Sequence, residues 1–372
     1  MRTTPKHEEI ARSLLLEIEA GRYAETGRLP SESQLVRRFG VSRPTAASAL
    51  RDLQQKGLID RRAGSGTYLR DDRNRERPVV TRLLGLLIPG LGTTEVFEAI
   101  CGELATIARA EEFDLIWGVN LSNPAGDSSG VEGRAEAATQ PLIRAGVRGV
   151  FFAPIEHDSE SHRLNRSVVD RLRSAGIAVI LLDRDLGETP SRSECDVVGV
   201  DNFAGGYRLA DHLFDAGCRR LAFIARPRSA PTVRARVAGA REAIRARGGI
   251  VDPEFIREGE PTDPEFVRKL ARSDAFDGLI AANDRTVAEL LRTLVGEGIS
   301  VPGDVRLVGF DDNRFARLLA VPLTTIRQPC REIATIALRT MVDRLSAPGL
   351  PARTILLAAE LIARESTGVL SP

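Results

Sequence analysis

The sequence predicts an α/β protein built in two parts, and three observations support this fold class. From residue 82 onward, apolar runs typical of buried strands alternate with helical segments, which predicts parallel sheets with helices on both faces. The first 70 residues instead combine short helices with one β-hairpin. Between the two parts, the segment "DDRNRERP" contains no apolar residue, which predicts an exposed linker.

Three short helices are predicted in the N-terminal part. The first is amphipathic, and its apolar face consists of Ile10, Leu14, Leu15 and Ile18. The second begins at a capping box, in which Ser31 accepts from an early amide and Gln34 reaches back. Gly40 ends that helix, and Ser42 caps a third helix directly after it. This spacing is typical of a helix-turn-helix, although an ordinary helical hairpin shows the same pattern.

A hairpin after the third helix favours the helix-turn-helix interpretation. A strand-like run at residues 57–62 is followed by a glycine-rich tip at 63–66 and a return strand at 67–69. Such a hairpin is the wing of a winged helix-turn-helix, whose helix enters the DNA major groove while the wing reaches the backbone or minor groove. The charge agrees with this interpretation, since residues 1–77 hold 16 Lys and Arg against 11 Asp and Glu.

With its first helix included, this N-terminal part resembles the DNA-binding domain of the GntR family. The resemblance rests on "PSE", "VSR", "GLI" and "GSGT", together with Thr45. It implies that Arg43 and Thr45 face the major groove, and that Ala47 replaces an arginine usual in the family. The full set of DNA-binding residues that it implies is Lys6, Ser31, Glu32, Ser42, Arg43, Thr45, Arg62, Gly64 and Gly66. For Lys6 and Arg62, a solvated surface charge is the competing interpretation.

Polar residues follow several strand-like runs of the larger part. Thr93 lies in the segment after "LLIP", Asp183 follows "ILL", Asn283 and Asp284 follow "LIAA", and Asp311 follows "LVGF". Ligands of open parallel sheets bind beyond the carboxyl ends of the strands, so these residues predict a binding crevice. For any single Asp or Asn at such a position, capping of the following helix is the commoner explanation.

Other kinds of site lack support in the sequence. Gly90 and Gly92 are not followed by the third glycine of a dinucleotide fingerprint, because Glu95 stands there. No phosphate-binding loop or Ser-His-Asp order indicates an enzyme, and we expect no cofactor. We expect neither a membrane partner nor export, and therefore a cytoplasmic protein. Neither a metal site nor a disulfide is predicted from the four widely spaced cysteines, Cys101, Cys195, Cys218 and Cys330.

Residues 82–368 resemble the effector-binding region of the LacI/GalR repressors, a two-lobed periplasmic-binding-protein-like α/β domain with parallel sheets. The resemblance rests on the motifs "VVGVDNFAGGYRLADHLFDAG", "RVAGAREAI", "LIAAND", "RLVGFDD" and "TTIRQP". It implies a first lobe at about 82–194 and 326–347 and a second at about 195–325 and 348–368. The DNA-binding domain would then be residues 1–70 and the linker 71–81.

The effector contacts of that family can be carried over by position. They fall on Asp183, Arg236, Asn283, Asp284, Asp311 and Gln328. The strand-end residue Thr93 completes the candidate set. Planar Arg and Asn groups with ionised carboxylates can hydrogen-bond vicinal hydroxyls, so this set suits a polyol. Ala240 departs from the family, which usually has an aromatic residue after the glycine of "RVAG".

Together, the two resemblances imply a sequence-specific DNA-binding transcriptional regulator of the arabinose-repressor type, a repressor of carbohydrate-utilisation genes. Its partners would be an inverted-repeat operator in double-stranded DNA and a small sugar-like effector bound between two lobes. A homodimer would match the two-fold symmetry of the operator. No catalytic role is expected. The competing hypothesis is a sugar- or nucleotide-processing enzyme that carries a DNA-binding head.

Overall fold

The chain divides into two compact units in a computed structural model, Met1–Val80 and Thr81–Pro372. The structure describes residues 6–19, 22–23, 28–55, 58–62, 66–69, 82–88, 95–118, 121, 130–155, 159–187, 192–227, 229–272 and 276–368. The proposed linker at 71–81, the wing residue Gly64 and the candidate effector residue Thr93 lie outside these ranges.

Three helices and an antiparallel pair of strands are described in the N-terminal unit. They are α1 (Lys6–Glu19), α2 (Glu32–Phe39), α3 (Arg43–Gln55), β1 (Ile59–Arg62) and β2 (Gly66–Leu69). This order is that of a winged helix-turn-helix, as predicted. The unit has its own apolar core, whose fully buried side chains include Leu14, Leu35, Leu50, Leu53 and Ile59.

The predicted capping box starts α2. The Gln34 amide donates to Ser31 Oγ at 3.4 Å, and the Ser31 amide donates to Gln34 Oε1 at 2.7 Å. Gly40 ends the helix in the left-handed region, with φ of 63°. Both ends of α2 are therefore fixed by local sequence, and α3 begins three residues later at Arg43.

The first sheet of the larger unit is six-stranded and parallel throughout. Its strands are β3 (Leu83–Leu87), β4 (Asp114–Trp117), β5 (Gly149–Phe152), β6 (Ala178–Leu182), β7 (Asp196–Val200) and β13 (Thr354–Leu357). Their order is β13-β7-β6-β5-β3-β4. Two helix pairs pack on opposite faces, α4 (Glu95–Ala110) with α11 (Cys330–Ser346), and α5 (Gly130–Arg144) with α6 (Ser159–Ser174). We call this sheet and its helices the first lobe.

The second lobe is built on another six-stranded sheet. Its strands are β8 (Leu221–Ala225), β9 (Ile256–Glu258), β10 (Gly278–Ala281), β11 (Arg306–Asp311), β12 (Thr324–Arg327) and β14 (Glu360–Ile362). The order is β14-β12-β11-β10-β8-β9, and β14 alone is antiparallel to its neighbour. The helices are α7 (Asn202–Asp215) with α8 (Pro231–Ala246) on one face and α9 (Pro264–Arg272) with α10 (Asp284–Gly296) on the other. A 3₁₀ turn at Glu365–Thr367 follows β14.

The chain passes between the lobes at three described segments, 200–202, 327–330 and 357–360. The lobe boundaries expected from the sequence need correction at these points. Strands β7 and β13 lie in the first lobe, because β7 pairs with both β6 and β13. Strand β12 lies in the second lobe, because it pairs with β11. The predicted α/β class with parallel sheets in two lobes is confirmed. Within the described ranges, no helix is both long enough and apolar enough to cross a membrane.

Candidate effector cleft and DNA-binding face

A cavity of about 560 Å³ lies between the two lobes, beyond the carboxyl ends of β6, β8, β10 and β11. Residues of both lobes line it. Five of the predicted effector residues are among them, namely Asp183, Arg236, Asn283, Asp311 and Gln328. We call this cavity the effector cleft.

Arg236, on α8, is held firmly in the wall of the effector cleft. Its residue is 6% exposed, its Nε donates to Asn202 Oδ1 at 2.8 Å, and its Nη1 donates to the Ala282 carbonyl at 2.5 Å. The guanidinium carbon lies 3.6 Å from the centroid of the Phe310 ring, which is a cation–π distance. A guanidinium held in one orientation can bind two neighbouring ligand oxygens without losing further rotamer freedom.

Two carboxylates of the cleft stand on unusual backbone conformations. Asp183, directly after β6, has φ of 72°, and Asp311, at the end of β11, has φ of 122°. Left-handed backbone at a residue other than glycine costs of order 1–3 kcal/mol, and such strain clusters at ligand sites. Each carboxylate also has a partner, since Arg184 Nη2 lies 2.7 Å from Asp183 Oδ2 and Gln328 Nε2 donates to Asp311 Oδ1 at 2.7 Å.

Asn283 combines the two roles that the sequence left open. It caps α10, because its Oδ1 accepts from the Thr286 amide at 2.9 Å and from Thr286 Oγ1 at 2.8 Å. It also lines the effector cleft. Capping fixes the amide orientation, so its NH2 group faces away from the helix amides.

Asp284 does not line the effector cleft, so its predicted direct contact with the effector is wrong. The residue is completely buried in the first turn of α10, where Thr325 Oγ1 donates to Oδ1 at 2.6 Å and the Asn313 amide donates to Oδ2 at 2.9 Å. The turn that exposes Asn283 points the next side chain toward β11 and β12. Burial, and then the nearby Asp311 carboxylate, raise the pKa of Asp284 well above its ordinary value.

The raised pKa of Asp284 makes the stability of the second lobe fall as pH rises. Because the folded state holds this proton more tightly than the unfolded chain does, the free energy of unfolding decreases as pH rises above the unfolded pKa of about 3.9. We expect Asp284→Asn to flatten this decline, since an amide keeps the shape and never ionises. Thermal unfolding midpoints from pH 5 to 8 measure the effect, with the exposed Asp170→Asn as control. Equal slopes for Asp284→Asn and the wild type would mean that Asp284 is ionised in the fold.

Several charged residues of the cleft wall were not predicted from the sequence. Arg226 directly follows β8, so its position at the end of a strand was a signal for it. Arg226 forms ion pairs with Glu289 and, at 3.2 Å, with Glu260. Other wall residues outside the prediction carry no motif of their own, and they include Glu95, Glu98, Arg184, Arg285 and Arg314.

The predicted DNA-binding face lies at the start of α3. Arg43 is its first residue, with a side chain 75% exposed and Nε 3.4 Å from Glu32 Oε2. Ser42 Oγ lies 2.8 Å from Thr45 Oγ1, which orders the turn before the helix. Ser31 is exposed, but its hydroxyl already caps α2, so a DNA phosphate would have to share that hydroxyl with the helix.

The remaining predicted DNA contacts lie at α1 and the wing. Lys6 is exposed at the first position of α1. Arg62 ends β1, and Gly66 begins β2 with φ of 130°. A Cβ at Gly66 would lie 3.2 Å from Arg28 Nε, so both the conformation and the space favour glycine.

Comparison with known families decides what the two units are. The family described as bacterial regulatory proteins, gntR family, matches residues 6–69. A periplasmic binding protein-like domain matches residues 210–367. The chain joins a GntR-type head to a periplasmic-binding-protein-like body. Helices α1 to α3 and the wing form the GntR head, and the matched part of the body contains Arg236, Asn283, Asp311 and Gln328.

Two transcriptional regulators and one solved regulator structure are similar to this chain. The arabinose metabolism transcriptional repressor of Geobacillus stearothermophilus is 26% identical over 98% of both chains. The HTH-type transcriptional regulator CelR of Thermobifida fusca is 31% identical over 59% of this chain and 63% of its own. A solved complex of the transcriptional regulator CelR with cellobiose superposes with a TM-score of 0.65 at 23% identity, covering 88% of this chain and 91% of that one. Identity at that level shows a shared fold.

Replacing Arg43 of the GntR head tests the predicted reading face. If Arg43 binds a guanine edge, Arg43→Ala weakens specific operator binding by ~1–3 kcal/mol, while binding to random DNA changes little. The measurement is a binding titration of the full-length protein with a selected operator and a scrambled duplex, at fixed salt. Arg51→Ala, on the same helix, is the control. Equal losses on both duplexes would assign Arg43 to a phosphate.

Proposed function

We propose that the chain is a DNA-binding transcriptional repressor that a small sugar-like effector controls by binding between the two lobes of its body. A single observation carries the proposal. Five polar residues that the sequence predicts as effector contacts line one cavity between the lobes, in a chain that also has a GntR head. We assign residues 1–70 to DNA binding and 82–368 to the effector domain. As effector contacts we propose Asp183, Arg236, Asn283, Asp311 and Gln328.

The size and the chemistry of the effector cleft support a sugar as the effector. Its volume of about 560 Å³ lies within the range of small-molecule sites. Fixed donors at Arg236 and Asn283 stand near carboxylate acceptors at Asp183 and Asp311, an arrangement that matches hydroxyl groups able to donate and accept. Among the relatives, one is named for arabinose metabolism and the CelR structure contains cellobiose.

Control of DNA binding requires that the effector bind two conformations with different affinity, because equal affinity shifts no population. Closing the cleft around a sugar would provide that difference. We further propose a homodimer in the cytoplasm that binds an inverted-repeat operator, since a two-fold protein matches two inverted half-sites. The proposal includes no catalytic step.

The experiment that tests this function is a thermal-shift screen followed by operator titration. Pentoses, hexoses, sugar acids and nucleosides are added to the full-length protein. A ligand at 100 times its Kd stabilises the folded state by ~2.7 kcal/mol. We expect a sugar to raise the unfolding temperature and to change operator affinity. A sugar that is consumed would instead favour the enzyme hypothesis, and a sugar that stabilises the body without affecting operator binding would contradict the proposed control.

A further inference from the structure

Glu95 and Arg314 connect the two lobes across the effector cleft. Glu95 is the first residue of α4 in the first lobe, and Arg314 follows β11 in the second lobe. Arg314 Nε donates to Glu95 Oε1 at 3.1 Å, and the Arg314 amide donates to Glu95 Oε2 at 3.2 Å. Both residues line the same cavity as Arg236 and Asp311. One carboxylate therefore uses both oxygens to hold the opposite lobe.

The position of the pair separates it from an ordinary surface ion pair. Glu95 lies more than 100 positions before the nearest crossover segment, 200–202, and Arg314 lies 13 positions before 327–330, so neither residue belongs to a segment that connects the lobes. The Glu95 side chain is 28% exposed, whereas that of Arg314 is 86% exposed. Glu95 also stands in the first turn of α4, where the helix dipole stabilises a negative charge whether or not the pair is formed.

We propose that Glu95 and Arg314 form a latch that holds the effector cleft closed and thereby sets the affinity for the effector. The second statement rests on the proposed binding of a sugar between the lobes. A contact that is present only in the closed conformation lowers the free energy of the closed conformation relative to the open one. Any ligand that requires closure therefore binds more tightly. For a solvent-exposed pair, this amounts to about a two- to fivefold change in affinity.

The first test measures the distance between spin labels on the two lobes and needs no effector. Spin labels are placed on the full-length protein at Ala145→Cys, exposed in the first lobe, and Ala246→Cys, exposed in the second. Labelled protein is diluted with unlabelled protein, so that distances between protomers do not contribute. Labelling near pH 7 leaves the four native thiols protonated, because burial raises the pKa of Cys218, raises that of Cys101 to about 12, and raises those of Cys195 and Cys330 to about 11.

We expect Glu95→Ala to raise the ratio of open to closed interlobe distance populations about two- to fivefold relative to the parent protein. The matched control is Glu297→Ala, which breaks an ion pair of 3.2 Å with Arg268 inside the second lobe and should leave the distances unchanged. A distance distribution for Glu95→Ala identical to that of the parent protein would overturn the latch. This result does not depend on any sugar, so it is independent of the proposed function.

The second test is a double-mutant cycle on sugar affinity, with arabinose and cellobiose as probes. If the two residues act as one latch, Glu95→Ala lowers affinity about two- to fivefold, and Arg314→Ala has little further effect in its presence. High salt should reduce the difference from the parent protein. Additive losses would mean that each side chain contacts the sugar separately, which contradicts the latch. If neither sugar binds, the identity of the effector is in question and the spin-label distances decide the latch.

Discussion

Arg236→Ala is expected to abolish the effector response and, at the same time, to destabilise the second lobe. A side chain on an open crevice wall could be removed without harm to the fold, but Arg236 is 6% exposed and donates to Asn202 Oδ1 and the Ala282 carbonyl. A buried acceptor left unsatisfied costs ~1–3 kcal/mol, and the contact with Phe310 is lost as well. We therefore expect a loss of ~3 kcal/mol in the free energy of unfolding.

Three measurements separate the two effects of Arg236→Ala. Denaturant unfolding without sugar gives the loss of stability, thermal shift gives the response to sugar, and operator titration gives the control of DNA binding. Arg245→Ala is the matched control, because it lies on the same helix with a side chain 61% exposed and an ion pair to Glu242. If operator binding of Arg236→Ala still responds at the sugar concentration effective on the wild type, Arg236 is not an effector contact.

Strand topology explains which of the predicted residues line the cleft. Asp183, Asn283 and Asp311 line it because β6, β10 and β11 are parallel and end at the same edge of their sheets. Strand position alone does not distinguish Asn283 from Asp284, since both follow the same strand. Which of two consecutive polar residues faces the cavity depends on where the helix begins, and α10 begins so that Asp284 turns inward.

Pairing between strands that are far apart in the chain could not be predicted from the sequence. Strand β13 pairs with β7, more than 150 residues earlier, and no periodicity within either segment records that pairing. Ion pairs across the cleft have the same origin, because Glu95 and Arg314 are 219 positions apart. By contrast, the capping box at Ser31 and Gln34 lies within four residues, and local spacing predicted it correctly.

Close contact between α7 and α8 is what positions Arg236, and two glycines make that contact possible. A Cβ at Gly206 would lie 2.0 Å from the Arg236 carbonyl oxygen, and a Cβ at Gly239 would lie 1.9 Å from the Phe203 carbonyl oxygen. The two helix backbones therefore touch, with no space for a side chain at either position. Ala240, which directly follows Gly239, is fully buried beside this contact.

Gly239→Ala is expected to force α8 away from α7 and thereby to remove Arg236 from its place. A methyl group cannot be accommodated by a side-chain rotation, because the atoms that it meets belong to the backbone, so we expect a loss of about 3 kcal/mol in stability. Separation of the helices also breaks the 2.8 Å bond from Arg236 to Asn202 on α7, and the thermal shift caused by sugar should disappear. Gly102→Ala is the control: a Cβ there meets nothing within 4 Å, and alanine inside α4 should stabilise by ~0.5–1 kcal/mol. If Gly239→Ala unfolds and responds to sugar as the wild type does, the packing of α7 on α8 does not position the site.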